Sequence, residues 1–169
     1  MSIYTPGEKA AYIPLNHLSY ITETRIKDQL SCEDIKDDIQ RLKDSNVKVI
    51  MFNAPFDLRV IYHAVGVMLP IYWDCYIAAR LLNENEPSNA LKMLHEKYCM
   101  EGQKQAFTFD KLFSGFNFQY VPLKNAYIYA ARDAEITYEL YEFQKPYLTE
   151  EDEVCKEFEL QKVAKLFRN

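Results

Sequence analysis

The chain has 169 residues, 49% of them hydrophobic and 27% charged, with 20 Lys and Arg against 25 Asp and Glu for a formal net charge of −5. This is the make-up of one compact domain with an ordinary core, and it excludes a disordered or low-complexity polymer. The acidity argues against a protein that coats a phosphate backbone through many Lys and Arg contacts, though not against a nuclease that grips one strand end through bound cations.

The first expected element is a hairpin over residues 2 to 15, with Ile3-Tyr4 and Ala10-Ala11-Tyr12-Ile13 as strands around a Thr5-Pro6-Gly7-Glu8 turn. A helix follows from Ser31, where Ser31 and Asp34 fit a loose capping box and Ile35, Ile39 and Leu42 share one face. Val47-Lys48-Val49-Ile50-Met51-Phe52 reads as a mostly buried strand, after which Pro55 opens a helix that stops at Gly66. Ile71-Tyr72-Trp73 is one more short strand, and Asp74 caps the helix carrying Ile77, Ala78, Leu81 and Leu82.

Ser88 is expected to cap a helix over Leu91 to Tyr98, and Phe107 to Tyr120 reads as aromatic and irregular. Pro122 starts a long helix running to about Gln144, before Pro146, and a final amphipathic helix begins near Thr149. The order points to an α/β domain with a small sheet. Apolar runs fall short of the ~20 residues of a membrane span, and Met1-Ser2-Ile3-Tyr4 has no signal-peptide pattern, so a cytoplasmic protein without a membrane partner is expected. Cys32, Cys75, Cys99 and Cys155 lack Cys-x-x-Cys spacing, and His17, His63 and His95 are scattered, which disfavours a zinc site or a disulfide framework.

Two places could carry chemistry. In Asn53-Ala54-Pro55-Phe56-Asp57 a strand ends and a helix begins, where α/β folds commonly present functional groups. Taken alone, Asp57 is equally a carboxylate favouring a helix dipole, by ~0.3–1 kcal/mol. In Tyr129-Ala130-Ala131-Arg132-Asp133, Tyr129 and Asp133 stand four apart and share a helix face. A mid-helix Asp is ~0.5 kcal/mol worse than Ala, so it calls for another reason, of which a solvated surface is the ordinary one. Together the two places suit phosphodiester cleavage by a pair of divalent cations, which needs carboxylates from different elements, with a phenol to orient the attacking water.

The ordered set resembles the proofreading 3′–5′ exonuclease domain of family A, DNA polymerase I-type, enzymes. Asn53-x-x-Phe56-Asp57 is similar to the second exonuclease motif and Tyr129-Ala-Ala-Arg-Asp133-Ala-Glu-Ile-Thr137 to the third. Pro14-Leu15-Asn16-His17, Asp74, Leu91-Lys92-x-Leu94 and Phe109-Asp110-x-Leu112-Phe113 fall in the matching order. The resemblance implies a ribonuclease H-like fold and removal of nucleotides from a single-stranded DNA 3′ end with Mg²⁺ or Mn²⁺. It implies Asp133 as a direct metal ligand, Asp57 as support for the second metal, Tyr129 as the residue that positions water, and Asn53 and Phe56 as lining that contacts substrate. On this reading residues 1–148 are the exonuclease domain and residues 149–169 a helix leading toward a polymerase domain.

The family's first motif, an Asp-x-Glu on the first and central strand of the sheet, is expected upstream of Ser2-Ile3-Tyr4, so the chain reads as N-terminally truncated. An incomplete sheet and weak or absent catalysis follow. The sheet is expected either to close through new pairing of Ser2 to Thr5 or to leave an edge that a second chain covers. Two other readings stand beside this one: a non-catalytic structural or protein-binding relic, and an RNA-trimming exonuclease of the same superfamily.

Overall fold

The computed structural model describes residues 1–27, 29–103, 113 and 115–148. Strand β1 (Ser2–Ile3) pairs antiparallel with β2 (Ala11–Tyr12), Ser2 opposite Tyr12 and Ile3 opposite Ala11. Helix α1 (Cys32–Asp44) follows, then β3 (Ile50–Met51), α2 (Ala54–Val65), β4 (Trp73–Asp74), α3 (Cys75–Leu82), α4 (Leu91–Tyr98) and α5 (Leu123–Gln144). Strands β3 and β4 run parallel, Ile50 opposite Trp73 and Met51 opposite Asp74. Three-residue 3₁₀ turns, Phe118–Tyr120 and Lys145–Tyr147, flank α5.

The expected hairpin is present, with its first strand shifted by one residue to Ser2–Ile3 and its second shortened to Ala11–Tyr12. The capping box at Ser31 is complete: Asp34 N–H donates to Ser31 Oγ at 3.2 Å and Ser31 N–H to the Asp34 carboxylate at 2.7 Å. Helix α2 ends where Gly66, at φ +75°, takes a left-handed conformation that a side chain would oppose, and Gly66 N–H donates to Tyr62 O at 2.8 Å. The long helix starts directly after Pro122 and gives way at the Pro146 turn, as proline chemistry requires.

Two expectations need correction. The run 47–52 forms a ladder only at Ile50 and Met51, and Val47 is 54% exposed rather than buried. In the described residues β3 has β4 alone as a partner, so the apolar run outlasts its pairing. Ser88 does not cap α4: its Oγ accepts from Ala90 N–H at 3.4 Å, and Ala90 itself is the cap residue, with no side-chain bond to the helix.

The observed architecture is mixed α/β, with two separate two-stranded sheets and five helices among the described residues. Ile35 and Ile39 of α1 pack with Ala54, Leu58 and Val65 of α2 and with Val67 and Leu69 beyond it. Trp73, Cys75, Ala78 and Ala79 pack with Leu94 of α4 and Leu140 of α5. Each fully buried Leu or Ile contributes roughly 1.5–3 kcal/mol, so these clusters dominate the fold's stability. Helix α5 is the spine: it touches α3, α4 and the strands β1, β2 and β3.

Aromatic side chains extend that packing. Tyr4 meets Tyr138 with ring centroids 5.5 Å apart, Tyr138 meets Tyr141 at 5.8 Å, and Tyr141 meets Trp73 edge-on at 5.2 Å, which ties the hairpin to α5 and β4. Cys32, Cys75 and Cys99 are free thiols, and Cys155 lies outside the described residues, as does the expected helix from Thr149. No helix among the described residues is long and apolar enough to cross a membrane.

Candidate active site

Everything at the Asn53–Asp57 segment depends on the turn that joins β3 to α2. Asn53 sits in the left-handed region, at φ 58° and ψ 53°, which Asn tolerates better than most residues. Asp74, buried at the end of β4, holds that turn: its Oδ1 accepts from Asn53 N–H at 2.9 Å and its Oδ2 from Ala54 N–H at 2.8 Å. The same Oδ1 accepts from Tyr76 N–H at 2.9 Å, capping α3 as the sequence indicates. One carboxylate therefore fixes the starts of two helices. Burial pushes its protonation equilibrium upward, while the backbone donors of Ala54, Tyr76, Asn53 and Ile77 pull the other way.

Asp57 lies in the first turn of α2, half-buried, next to this clamp. Burial, and then the negative charge of Asp74, raise its carboxyl above the ordinary range. Such a carboxylate gains from a nearby cation. Asn53 is exposed and its side chain makes no capping bond to α2, and the Phe56 ring is 66% exposed despite its size. Both are thus offered at the surface beside Asp57.

The Tyr129–Asp133 segment is carried by α5. Tyr129 and Asp133 share a face one turn apart, and the Tyr129 ring stands edge-on to Phe113 with centroids 6.0 Å apart. Phe113 is the described end of the Phe109-Asp110-x-Leu112-Phe113 segment, of which residues 109–112 lie outside the described residues. Asp133 Oδ1 is buried with no hydrogen-bond partner, and Lys92 Nζ of α4 lies 3.5 Å away. Burial raises the Asp133 carboxyl and Lys92 opposes that rise. Its neighbours are otherwise employed: Arg132 bonds Glu135 at 2.9 Å and Glu139 at 2.8 Å, and the buried His95 bonds Glu139.

Strand β3, which leads into the Asn53 turn, packs against α5, so the two motifs lie on adjoining elements. Asn53, Phe56 and Asp57 come together on one turn, and Tyr129 with Asp133 on one helix face. Among the described residues no three of His, Cys, Asp and Glu are grouped closely enough to hold a metal ion. The single Asp-x-Glu in the sequence, Asp133-Ala134-Glu135, is helical, and its Glu135 is paired with Arg132. The donors still have the right chemistry for a hard divalent ion: the carboxylates of Asp57 and Asp133, the latter with a buried Oδ1 that has, among the described residues, only the Lys92 ammonium, 3.5 Å away, as its counter-charge. Sequence reasoning found Asp74 as a cap and missed its hold on Asn53. It also passed over Lys92, whose only signal was a place in Leu91-Lys92-x-Leu94.

The described residues thus form an α/β domain with one carboxylate at a strand–helix turn and another on the long helix against which that strand packs. The sequence matches the 3′-5′ exonuclease family of family A DNA polymerases over residues 3–148, and the chain belongs to that family. It is 32% identical over 121 residues to DNA polymerase I of Borreliella burgdorferi, covering 70% of this chain and 13% of that protein. It is 28% identical over 130 residues to DNA polymerase I of Treponema pallidum, covering 74% of this chain and again 13% of the relative. The chain thus spans about an eighth of the length of these curated relatives.

Proposed function

We propose that this exonuclease domain removes nucleotides from a single-stranded DNA 3′ end as the proofreading partner of a polymerase domain, within a ribonuclease H-like fold comprising residues 1–148. The observation that carries the reading is the buried, hydrogen-bond-free Oδ1 of Asp133 on the helix face that also bears Tyr129. A buried anionic oxygen without a donor is costly unless a cation completes it.

Asp133 would hold Mg²⁺ or Mn²⁺ directly, and Asp57, raised by burial and by Asp74, would support a second ion mainly through water. Bound divalent ions supply Lewis acidity and positive charge against the phosphodiester. The protein's own part is placement. The Tyr129 hydroxyl orients the attacking water from one turn before Asp133, and Phe113 against its ring limits where the hydroxyl can point. The exposed Phe56 ring and the Asn53 amide line the approach of the terminal nucleotide. Residues 149–169 lead toward the polymerase portion.

Two carboxylates are too few for efficient two-ion hydrolysis, so the 169-residue chain is expected to be a weak nuclease. The test is digestion of a 3′-labelled single-stranded DNA with Mg²⁺ or Mn²⁺, alongside Asp133→Ala and a chimera carrying a relative's Asp-x-Glu strand before Ser2. Slow stepwise shortening that increases in the chimera and vanishes with Asp133→Ala supports the reading. A chimera that stays inactive, or one that trims RNA in preference to DNA, overturns it.

A further inference from the structure

Two side-chain contacts join α4 to α5, and they differ in kind. At the first, His95 is 1% exposed and bonds Glu139, which also receives Arg132 at 2.8 Å. The His95–Glu139 bond is directional and pins α4 against α5, while Arg132 orients Glu139 from within α5. One turn earlier on α4, Lys92 Nζ stands 3.5 Å from Asp133 Oδ1, beyond hydrogen-bond length yet within ionic reach. The Lys92 and Asp133 side chains are 31% and 45% exposed, so the ammonium has a path to water while the oxygen it faces is buried.

A lysine ammonium is a compact point charge on a flexible four-carbon stem, without the fixed fork that lets arginine lock onto a carboxylate. Because His95 bonds Glu139 across the two helices, and Arg132 fixes Glu139 from within α5, the Lys92 head can leave without α4 moving. The buried oxygen it leaves behind is the same atom that the reading above assigns to a divalent ion. A divalent ion arriving at that oxygen is repelled by the ammonium already facing it, and because the Lys92 head has a path to water it is the charge that can give way.

We infer that Lys92 is a positioning residue that stands in for the metal: its ammonium occupies the cation place at the buried Asp133 oxygen and withdraws toward solvent when a divalent ion binds. The inference rests on Asp133 being a metal ligand. Its consequence is a threshold, because divalent ions must compete with an internal charge before the site fills. Lys92 also holds the Asp133 carboxylate turned inward, so that the ligand is already oriented when an ion arrives.

The experiment measures Mn²⁺ binding to the 169-residue chain by electron paramagnetic resonance of the free ion, which reads affinity without turnover. Lys92→Met should bind Mn²⁺ about three- to tenfold more tightly than the unaltered chain, the scale expected from one partly exposed charge. Lys92→Arg should leave affinity near that of the unaltered chain, and the gain should disappear when Lys92→Met is combined with Asp133→Asn. Circular dichroism verifies folding, and Lys92→Gln replaces the Met variant if that one is unfolded. Equal or weaker binding by the charge-free variants overturns the inference, as does a gain that survives Asp133→Asn or the absence of binding in every chain. If Asp133→Asn alone leaves Mn²⁺ affinity unchanged, the assignment of Asp133 as a ligand is what fails, and the role of Lys92 falls with it.

Discussion

His17 Nδ1 lies 3.1 Å from the carbonyl oxygen of Val121, 104 residues further along the chain. A carbonyl can only accept, so Nδ1 carries the proton and Nε2 accepts from the Tyr12 hydroxyl at 2.6 Å. The ring is 2% exposed, and Gln29 embraces its backbone, receiving His17 N–H at 2.6 Å and donating to His17 O at 2.9 Å. This neutral histidine joins the β1–β2 hairpin to the residue just before α5, and so helps fix where the helix bearing Tyr129 and Asp133 begins.

Burial lowers the His17 pKa from its ordinary value of 6.5. The unfolded chain therefore takes up a proton first as pH falls, and the contribution of His17 to stability, intact above about pH 6.5, is lost progressively below it. Urea unfolding at pH 7.5 and pH 5.0 should give a lower midpoint at the acid end. His17→Gln should flatten that difference, and His17→Ala should cost about 1–3 kcal/mol at neutral pH through the stranded Tyr12 hydroxyl. An unchanged pH slope in His17→Gln would assign the acid sensitivity to other groups.

The Asp74 clamp makes a sharper prediction, because one side chain serves three backbone donors. Asp74→Ala should destabilise the chain by about 2–4 kcal/mol, more than an ordinary cap, since the Asn53 and Ala54 amides lose their acceptors as well. Asp74→Asn, which keeps one acceptor oxygen, should cost less. If Asp74→Ala proves no worse than the loss of the Ser31 cap in Ser31→Ala, the hold on the Asn53 turn adds nothing.

What the sequence reveals here is what local chemistry dictates. Ser31 with Asp34, Gly66, Pro122 and Pro146 mark helix ends through bonds or clashes within a few residues, and all four are found in those roles. Features set by distant partners are not visible in this way. The run 47–52 is apolar enough for a six-residue strand, yet the ladder spans only Ile50 and Met51, because ladder length depends on a neighbour elsewhere in the chain. Asp74 looks like a cap for α3 and is one, but its bonds to Asn53 and Ala54, 21 and 20 residues back, leave no periodic trace. Lys92 is similarly unremarkable until α4 is laid against α5 and brings it to Asp133.

Gln144 is buried at the end of α5, where its Oε1 accepts from Trp73 Nε1–H at 3.1 Å and its Nε2 donates to Cys75 O at 2.9 Å. It thereby ties the last turn of α5 to β4 and the start of α3. Gln144→Leu conserves most of the volume and removes the acceptor, so the cost should be the desolvated indole N–H, about 1–3 kcal/mol. Trp73 is the only tryptophan, and its fluorescence reports this site directly during urea unfolding. A variant as stable as the unaltered chain would show that apolar packing fully replaces the amide.

Tyr129 offers the cleanest separation of chemistry from structure. Tyr129→Phe keeps the ring and its edge-on contact with Phe113, so the thermal midpoint of the domain should move little. The hydroxyl to which the proposed function assigns the attacking water is gone, and in the chimera carrying an Asp-x-Glu strand the rate of 3′-end removal should fall about 100-fold, the lower end of the range for a positioned acid–base group. Mn²⁺ affinity should stay unchanged, because Tyr129 is assigned no bond to the ion, whereas Asp133→Asn should lose affinity and rate together. The contrast decides the roles: a Tyr129→Phe variant that weakens Mn²⁺ binding as much as Asp133→Asn would make the phenol part of the ion site rather than the group that aims the water.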